Sequence, residues 1–218
     1  MTEWDYGGVW RQYEMDGVID LQNNSRVQVC DWIETLPAWM READTLFIDP
    51  PWNIGNANTF YTKADRPHLT CDFLEFSRIL FRRIDEIAPL SLFLEMGKEH
   101  LGWYLEECRR RYRYLTFYNS TYYKRRVNKC YVIHATNESK RRRYQELEDM
   151  DEADIIAWLC RHHRFDCIGD LCMGRGLVGK HAFLNNRRFV GTELNPKRLA
   201  VLVHFIRNAS VGEIDEQD

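Results

Sequence analysis

The chain has no uninterrupted apolar stretch that approaches the roughly 20 residues a membrane-spanning helix needs. Its first residues also lack the basic and apolar regions of a secretory signal. Cysteine is present at seven positions, an odd number, and no two cysteines have the C-x-x-C spacing of many zinc and redox sites. We therefore expect free thiols in a reducing compartment, with no membrane anchor, no disulfide framework and no metal site.

An excess of positive charge is missing as well. The 30 Lys and Arg are outnumbered by 33 Asp and Glu, which gives a net charge of −3. For nucleic-acid binding, however, the distribution of charge matters more than its sum. Twelve of the 30 basic residues lie between Arg109 and Arg143, where Glu138 is the single acid and tyrosines are interleaved.

Such a stretch is typical of a surface that neutralises phosphates and stacks on unpaired bases. The alternative is that about half of these side chains form a solvated helix end and the interior of strands. The candidate nucleic-acid contacts within it are Lys124, Arg125, Arg126, Lys140, Arg141, Arg142 and Arg143.

The tetrapeptide Asp49-Pro50-Pro51-Trp52 directly follows a short apolar run, residues 45–48. That run predicts a buried strand of a parallel sheet, because it is apolar on both faces and is ended by two prolines. Ligands of open α/β sheets bind in the crevice at the carboxyl ends of the strands. The tetrapeptide is therefore a candidate catalytic segment, and the alternative is a strand terminator with a surface tryptophan.

These four residues suit the activation of an amine on a planar ring. The exocyclic amine of adenine or cytosine is a weak nucleophile, because its lone pair is delocalised into the ring. The carboxylate of Asp49 and the backbone carbonyl of Pro50 can each accept one amine hydrogen, while Trp52 stacks on the ring. A nearby carboxylate also stabilises the positive charge that the attacking nitrogen gains. Pro51 stiffens the turn.

A second candidate segment lies near the C-terminus. A predicted strand ends at Asp170, Gly174 and Gly176 form a predicted tight turn, and residues 177–186 form a predicted helix. Glycines in such a turn let the backbone approach a ligand closely.

A further predicted strand, residues 188–193, ends in Glu193. Glu193 lies 23 residues after Asp170, which is close to the spacing of the acid that binds ribose hydroxyls in nucleoside sites. Asn195 and Pro196 then predict the start of another helix. The order of these elements predicts an adenosine-type cofactor.

The two segments together resemble an S-adenosylmethionine-dependent amino-methyltransferase that acts on nucleic-acid bases. The catalytic tetrapeptide precedes the cofactor loop, so the motif order resembles the permuted β-class DNA methyltransferases and the MT-A70 adenine methyltransferases. The segment that ends in Asp31, 18 residues before Asp49, resembles the opening of these families, and residues 91–96 and 114–118 resemble their later strands. The likeness covers residues 24–207.

The resemblance implies that Asp49, Pro50, Pro51 and Trp52 are catalytic. The residues that it implies for the cofactor are Asp31, Asp170, Cys172, Gly174, Gly176, Glu193 and Asn195. The chain departs from the family pattern at three places near this site, one of which is Leu177 and Val178, where small residues usually follow the second glycine. Cys172 stands where a Phe is usual, and Asp149–Asp154 occupies the region of a Lys-Pro element.

The segment 53–70 is polar and carries several glycine, asparagine and proline residues, so we predict a long loop that closes over the target base or the cofactor. Asn53 and Tyr61 are candidate nucleic-acid contacts within it. The periodicity of apolar residues predicts helices over 71–87, 98–112 and part of 146–163. His162 and His163 at the end of the last helix are expected to be polar helix-end residues.

The resemblance implies an α/β fold of the Rossmann-like class I methyltransferase type. We expect a central, mostly parallel sheet with helices on both faces and a circularly permuted motif order. The length predicts a single domain. Its expected parts are an N-terminal arm (1–23), a catalytic half (24–135), a short connection (136–151), a cofactor-binding half (152–211) and a disordered tail (212–218).

The predicted function is methyl transfer from S-adenosylmethionine to the N6 amine of adenine in DNA, on a flipped or unpaired base. Aspartate at the first motif position favours adenine over cytosine in the family pattern. The connection is too short for a large recognition segment, so specificity is expected to be relaxed or to come from a homodimer or a partner subunit.

Two alternatives remain open: an RNA N6-adenine methyltransferase of MT-A70 type, and a catalytically idle nucleic-acid-binding subunit. The expected location is the cytoplasm, in association with the nucleoid, and the gene could come from a phage or mobile element.

Overall fold

The computed structural model describes residues 5–122 and 125–209, and for residues 122 and 125–128 only the backbone is described. The predicted tail at 212–218 and Lys124 lie outside the described residues. The strands are β1 (Val18–Leu21), β2 (Ser25–Val29), β3 (Thr45–Ile48), β4 (Ser91–Met96), β5 (Tyr114–Tyr122), β6 (Arg125–Thr136), β7 (Met150–Asp151), β8 (Cys167–Asp170) and β9 (Arg188–Glu193). The α-helices are α1 (Ile54–Lys63), α2 (Phe73–Ile87), α3 (Leu101–Arg111), α4 (Glu152–His162), α5 (Leu177–Leu184) and α6 (Pro196–Asn208).

All nine of these strands form one sheet in the order β1-β2-β9-β8-β3-β4-β6-β5-β7. The five strands from β2 to β4 in this order are parallel, and β5 and β7 are also parallel to each other. Three pairs are antiparallel, namely β1 with β2, β4 with β6, and β5 with β6. The prediction of a mostly parallel α/β sheet is confirmed.

Helices cover both faces of the sheet, and β3 shows how the sequence divides the core between them. Phe47 packs in the cluster that holds the apolar residues of α4, α5 and α6. Leu46 and Ile48 pack in the opposite cluster, against α2 and α3. A strand buried on both faces is usually a near-continuous run of apolar residues. The apolar residues Leu46, Phe47 and Ile48 therefore favour the central place of β3 in the sheet.

The segment predicted as a long loop contains α1 instead. Asn53 is the N-cap of this helix, and its Oδ1 accepts a hydrogen bond of 2.8 Å from the backbone N–H of Asn56. Only Ala57 and Tyr61 are buried along α1, so the helix has no apolar stripe for a periodicity analysis to detect. The loop prediction is wrong for this reason, and α1 follows the candidate catalytic segment directly.

No helix in the described parts of the chain is long and apolar enough to cross a membrane. The other predicted helices are present, with boundaries that differ by a few residues. For example, α2 begins after the N-cap Asp72, whose Oδ1 accepts a hydrogen bond of 2.8 Å from the N–H of Glu75. It buries Phe73, Phe76 and the apolar residues that follow at helical spacing.

Two buried histidines pack between β6 and α4. The ring of His134 is stacked on Phe93 with a centroid distance of 4.2 Å, and neither of its nitrogens has a hydrogen-bond partner among the described residues. Nδ1 of His163 lies 2.9 Å from the hydroxyl of Tyr144. Burial lowers the pKa of His134 to about 3 and that of His163 to about 4. His163 is the C-cap of α4, so its predicted place at the helix end is confirmed, but its ring is buried and not solvated.

We expect acid to destabilise the fold through these histidines. Each has a folded-state pKa below its ordinary value of 6.5, so the unfolded chain binds more protons and stability falls as the pH drops below that value. Between about pH 8 and about pH 5, the free energy of unfolding of His134→Phe should fall by roughly 2 kcal/mol less than that of the wild type. Thermal melts of both proteins at the two pH values measure this difference. Equal losses in wild type and variant would contradict the prediction.

Candidate active site

A cavity of about 830 Å³ lies at the carboxyl ends of the parallel strands. Its lining includes Asp49, Pro50, Pro51 and Trp52 after β3. It also includes Leu171, Cys172 and Arg175 after β8, and Glu193 at the end of β9. The structure therefore brings the two candidate segments, which are more than 100 residues apart in sequence, to one shared cavity. The physical reason is that β3 and β8 are parallel neighbours, so both segments leave the sheet at the same edge.

Contacts with Asp49 and Gly97 help to place Trp52. Its Nε1–H donates a hydrogen bond of 3.0 Å to Oδ1 of Asp49. Its ring lies directly over Gly97, where an added Cβ atom would be only 2.8 Å from ring atom Cε3. Gly97 follows β4 and was not predicted from the sequence, because nothing in the local pattern links it to a residue 45 positions earlier.

Glu193 organises the glycine turn through both oxygens of its carboxylate. Oε2 accepts a hydrogen bond of 2.6 Å from the backbone N–H of Gly174, and Oε1 accepts one of 3.0 Å from the N–H of Asn195. Burial raises the pKa of Glu193, and nearby Arg198 and the two N–H donors oppose this shift. Asn195 is the N-cap of α6, as predicted, and its Nδ2 also donates to the carbonyl of Lys63 at 2.7 Å.

Asp170 lies behind the cavity wall. It is buried, and its Oδ1 accepts a hydrogen bond of 2.8 Å from the N–H of Cys172. Burial raises the pKa of Asp170 to about 8, and the charges of Glu193 and Asp49 act in the same direction. The carboxyl of Asp170 therefore shapes the turn after β8 by accepting the N–H of Cys172.

The two glycines of the turn are needed for different reasons. Both have positive φ, +57° at Gly174 and +81° at Gly176, where side chains are disfavoured. A Cβ atom at Gly176 would lie 2.5 Å from Cβ of Leu202 on α6, so this glycine allows the helix to pack closely. A Cβ atom at Gly174 would lie 2.7 Å from the guanidinium of Arg198.

Helix α1 closes one side of the cavity. The hydroxyl of Tyr61 donates a hydrogen bond of 2.6 Å to Oδ2 of Asp31, and both residues line the cavity. The guanidinium of Arg198 lies 5.0 Å from the centre of the Phe60 ring. Tyr61 is thus hydrogen-bonded to Asp31, which the sequence predicted to contact the cofactor. Asn53 is the N-cap of α1. Contacts of Tyr61 and Asn53 with nucleic acid stay predictions.

The predicted basic contacts lie at two different places. Tyr131 pairs with Met96 at the carboxyl end of β4, so the part of the β5–β6 hairpin before Tyr131 extends past the edge of the sheet that borders the cavity. The hairpin contains Arg125 and Arg126, whose side chains lie outside the described atoms, as does the whole of Lys124.

The second group begins at the opposite edge of the sheet, because Thr136 at the end of β6 pairs with Ser91 at the amino end of β4. Lys140, Arg141, Arg142 and Arg143 follow and are exposed. Arg142 forms an ion pair of 2.8 Å with Glu138. A role of these four residues in nucleic-acid binding stays a prediction.

These features define a Rossmann-like α/β protein whose candidate catalytic segment precedes its glycine turn in sequence and faces it across a cavity. No known protein-family profile matches the chain, and no curated protein sequence matches it. Several solved structures match it in fold. M1.HpyAVI has a TM-score of 0.60 at 11% identity, over 83% of this chain and 98% of that one.

Two further structures are similar. TTHA0409 from Thermus thermophilus, solved in complex with S-adenosyl-L-methionine, has a TM-score of 0.59 at 15% identity, over 87% of this chain and 96% of its own. The cytosine-N4-specific PvuII DNA methyltransferase has a TM-score of 0.52 at 11% identity, over 85% and 88% of the two chains. At these identities the likeness establishes the fold, and it confirms the predicted Rossmann-like architecture.

Proposed function

We propose that the chain transfers the methyl group of S-adenosylmethionine to the N6 amine of adenine in DNA. The observation that carries this proposal is the shared cavity, in which the Asp49–Trp52 segment faces Cys172 and Glu193. Similar folds support the coarser part of the proposal, since TTHA0409 is solved with S-adenosyl-L-methionine and PvuII is a DNA methyltransferase. The aspartate in the catalytic segment supports the choice of adenine.

The residues at the glycine turn fit a cofactor of this type. The positive-φ glycines let the turn after β8 pack closely against α6, and Glu193, which lines the cavity, presents a carboxylate suited to ribose hydroxyls. Asp31 and Cys172 would lie beside the bound group. When bound, the cofactor supplies an activated methyl group on a positively charged sulfur.

The chain's own residues hold and activate the base. The carboxylate of Asp49 and the carbonyl of Pro50 accept the amine hydrogens, which frees the nitrogen lone pair for attack on the methyl carbon. The Nε1–H of Trp52 fixes the rotation of the Asp49 carboxylate, and the indole ring offers a stacking surface for a flipped base. The positive charge that develops on the nitrogen lies beside the Asp49 carboxylate, which stabilises it.

Nucleic acid would approach along the β5–β6 hairpin, which borders the cavity edge. Lys129 of β6 is exposed, and Lys124, Arg125 and Arg126 are close to it in sequence. Phosphate contacts of this kind position a strand without reading its sequence. Recognition of a longer site would then come from a second copy of the chain or from a partner subunit.

Transfer of a labelled methyl group tests the proposal. The purified protein is incubated with labelled S-adenosylmethionine and matched single-stranded and double-stranded DNA and RNA oligonucleotides, followed by nucleoside mass spectrometry. N6-methyladenine in DNA is the expected product. N6-methyladenine in RNA alone would favour the MT-A70-type alternative, and N4-methylcytosine would overturn the choice of base. Failure of calorimetry to detect cofactor binding, with and without DNA, would favour an idle subunit.

We expect Gly97→Ala to impair use of the base without unfolding the protein. The new Cβ atom must displace the Trp52 ring, so the stacking surface moves and the KM for DNA should rise about tenfold, as for loss of roughly 1–3 kcal/mol of stacking. Gly102→Ala is the matched control, because its new Cβ atom would meet no atom within 4 Å beyond its chain neighbours and the backbone of its own helix. Steady-state kinetics that give the same KM for both variants would contradict this role for Gly97.

A further inference from the structure

Glu95 of β4 is buried next to the candidate catalytic segment. Its exposed fraction is 0%, and its Oε1 accepts a hydrogen bond of 3.0 Å from the thiol of Cys130. Its Oε2 is buried and has no hydrogen-bond partner among the described residues. An ionised carboxylate with an unpaired oxygen is strongly disfavoured in a protein interior. The group therefore needs a proton or a positive partner.

The register of the sheet locates Glu95 relative to Asp49. Ile48 of β3 pairs with Leu94 of the parallel strand β4, so Asp49 and Glu95 are the next residues along the two strands. Phe47 and Phe93, two positions earlier, pack in the same core cluster on one face. Side chains two residues apart on a strand share a face, and neighbouring strands are about 4.8 Å apart. Glu95 consequently lies beside and behind Asp49.

A second carboxyl reaches the same region from the start of α4. Ser120 of β5 pairs with Cys130 on one side and with Met150 on the other, and its hydroxyl donates to the carbonyl of Met150 at 2.8 Å. Cys130, the hydrogen-bond partner of Glu95, is thus linked through Ser120 to Met150. Met150 lies two residues before Glu152, the first residue of α4. Helix α4 packs on the same face of the sheet as Phe93.

The charges around this pair are mainly negative. Asp49 and Asp151 act on both groups, and Asp170 at the end of β8 acts on Glu152. Burial raises the pKa of Glu95 well above its usual range, and burial together with Asp49 raises the pKa of Glu152 to about 8. The other titratable neighbour is the Cys130 thiol, whose pKa burial also raises. Within the described residues no three side chains are arranged as metal ligands.

We propose that Glu95 and Glu152 form a carboxyl pair that holds a proton behind Asp49 and takes up the proton that the target amine loses. This inference rests on the proposed function. The N–C bond forms as the S–C bond breaks, so the positive charge moves from sulfur to the amine nitrogen. The proton then passes from that nitrogen to the Asp49 carboxylate and on to the ionised member of the pair.

The pair returns the proton to water when the product leaves. Both glutamates are positioning residues, since they act through Asp49 and do not touch the base. Glu152 also lies in the segment where the families that the sequence resembles carry a Lys-Pro element. The family pattern therefore does not supply the Glu152 carboxyl of this pair.

Single-turnover methyl transfer as a function of pH tests the pair in Glu95→Gln and Glu152→Gln. The wild-type rate should fall as the pH drops below about 8, because both members are then protonated and cannot accept a proton. Removing one carboxyl takes away a like charge and lowers the pKa of the other, so the acid limb should move down by about one pH unit. The plateau rate should also fall, by about tenfold, because the remaining acceptor is a weaker base.

Glu106→Gln on α3 is the matched control, since this side chain is 54% exposed and lies outside the cavity lining. The dissociation constant of the cofactor should be unchanged in all three variants. A pH profile in Glu95→Gln and Glu152→Gln that coincides with the wild-type profile would overturn the proposal. Two variants are used because Glu152, at a helix start and partly exposed, tolerates substitution even if the fully buried Glu95 does not.

An NMR titration of the glutamate side chains does not depend on methyl transfer, so it tests this inference separately from the proposed function. The side-chain carboxyl carbons of glutamate are labelled with ¹³C and followed by NMR in the wild-type protein and in both variants. Apart from the resonance of Glu193, whose pKa burial also raises, two resonances should titrate above the ordinary glutamate range, and each variant should lose one of these two and shift the other down. Ordinary titration of every glutamate other than Glu193 would overturn the pair. A high titration without methyl transfer to any oligonucleotide would instead overturn the proposed function.

Discussion

Asp49→Ala should reduce methyl transfer by about 10³-fold while the protein stays folded and still binds S-adenosylmethionine. Loss of one preorganised group that stabilises transition-state charge commonly costs roughly 10²–10³ in rate, and Asp49 has the additional task of drawing the amine into reactive geometry. The carboxylate follows β3 and accepts its hydrogen bond from the Trp52 side chain, within the same turn. Its removal should therefore leave the packing of the sheet unchanged.

Three measurements make this prediction specific. Single-turnover rates give the chemical step, calorimetry gives the affinity for the cofactor, and thermal melts report the fold. Asp20→Ala is a suitable control, because the Asp20 side chain is 81% exposed on β1 and forms a surface ion pair of 3.3 Å with Arg26. A variant at position 49 that melts far below the wild type would assign Asp49 a structural role instead.

Glu193→Ala should weaken the binding of S-adenosylmethionine by roughly 10–100-fold, which corresponds to the loss of one or two charge-assisted hydrogen bonds. The carboxylate ties the N–H of Gly174 to that of Asn195, so without it the glycine turn and the start of α6 lose their common acceptor. The same substitution removes the group proposed to contact the ribose hydroxyls.

Calorimetric titration of the cofactor measures this effect, and two comparisons make it interpretable. Glu99→Ala removes an exposed carboxylate, 73% accessible, and should leave the affinity unchanged. Glu193→Gln keeps the size of the side chain but cannot accept from both N–H groups without turning its own amide donor toward one of them. It should therefore fall between the wild type and the alanine variant. Wild-type affinity in both substitutions would remove Glu193 from the cofactor site.

The central strands could be predicted because the residues that determine them are neighbours in the sequence. β3 and β9 have the predicted boundaries, since each is a short segment with an apolar centre, and since two prolines follow β3 and the helix start at Asn195 and Pro196 follows β9. Helix α1 was not predictable in the same way. It depends on the Asn53 cap and on the Tyr61–Asp31 hydrogen bond, and neither leaves an apolar periodicity in the sequence.

The contacts that refine the candidate site were also hidden from the sequence. Gly97 matters because the Trp52 ring lies on it, and Arg198 matters because it covers Gly174 and faces Phe60. Glu95 lies in an apolar strand where a single acid gives no sign of its neighbours. Each of these residues is brought to the site by strand order, which joins segments that are distant in the chain.

The sequence by itself determined the parallel sheet and the two chemically informative segments, because hydrophobic runs, prolines and glycines act on the backbone within a few residues. Only the tertiary structure decided that these segments meet at one cavity, that α1 closes its side, and that a second layer of carboxyls lies behind Asp49. The physical reason is that packing between β3, β4 and β8 sets these distances, and packing is a property of the whole folded chain.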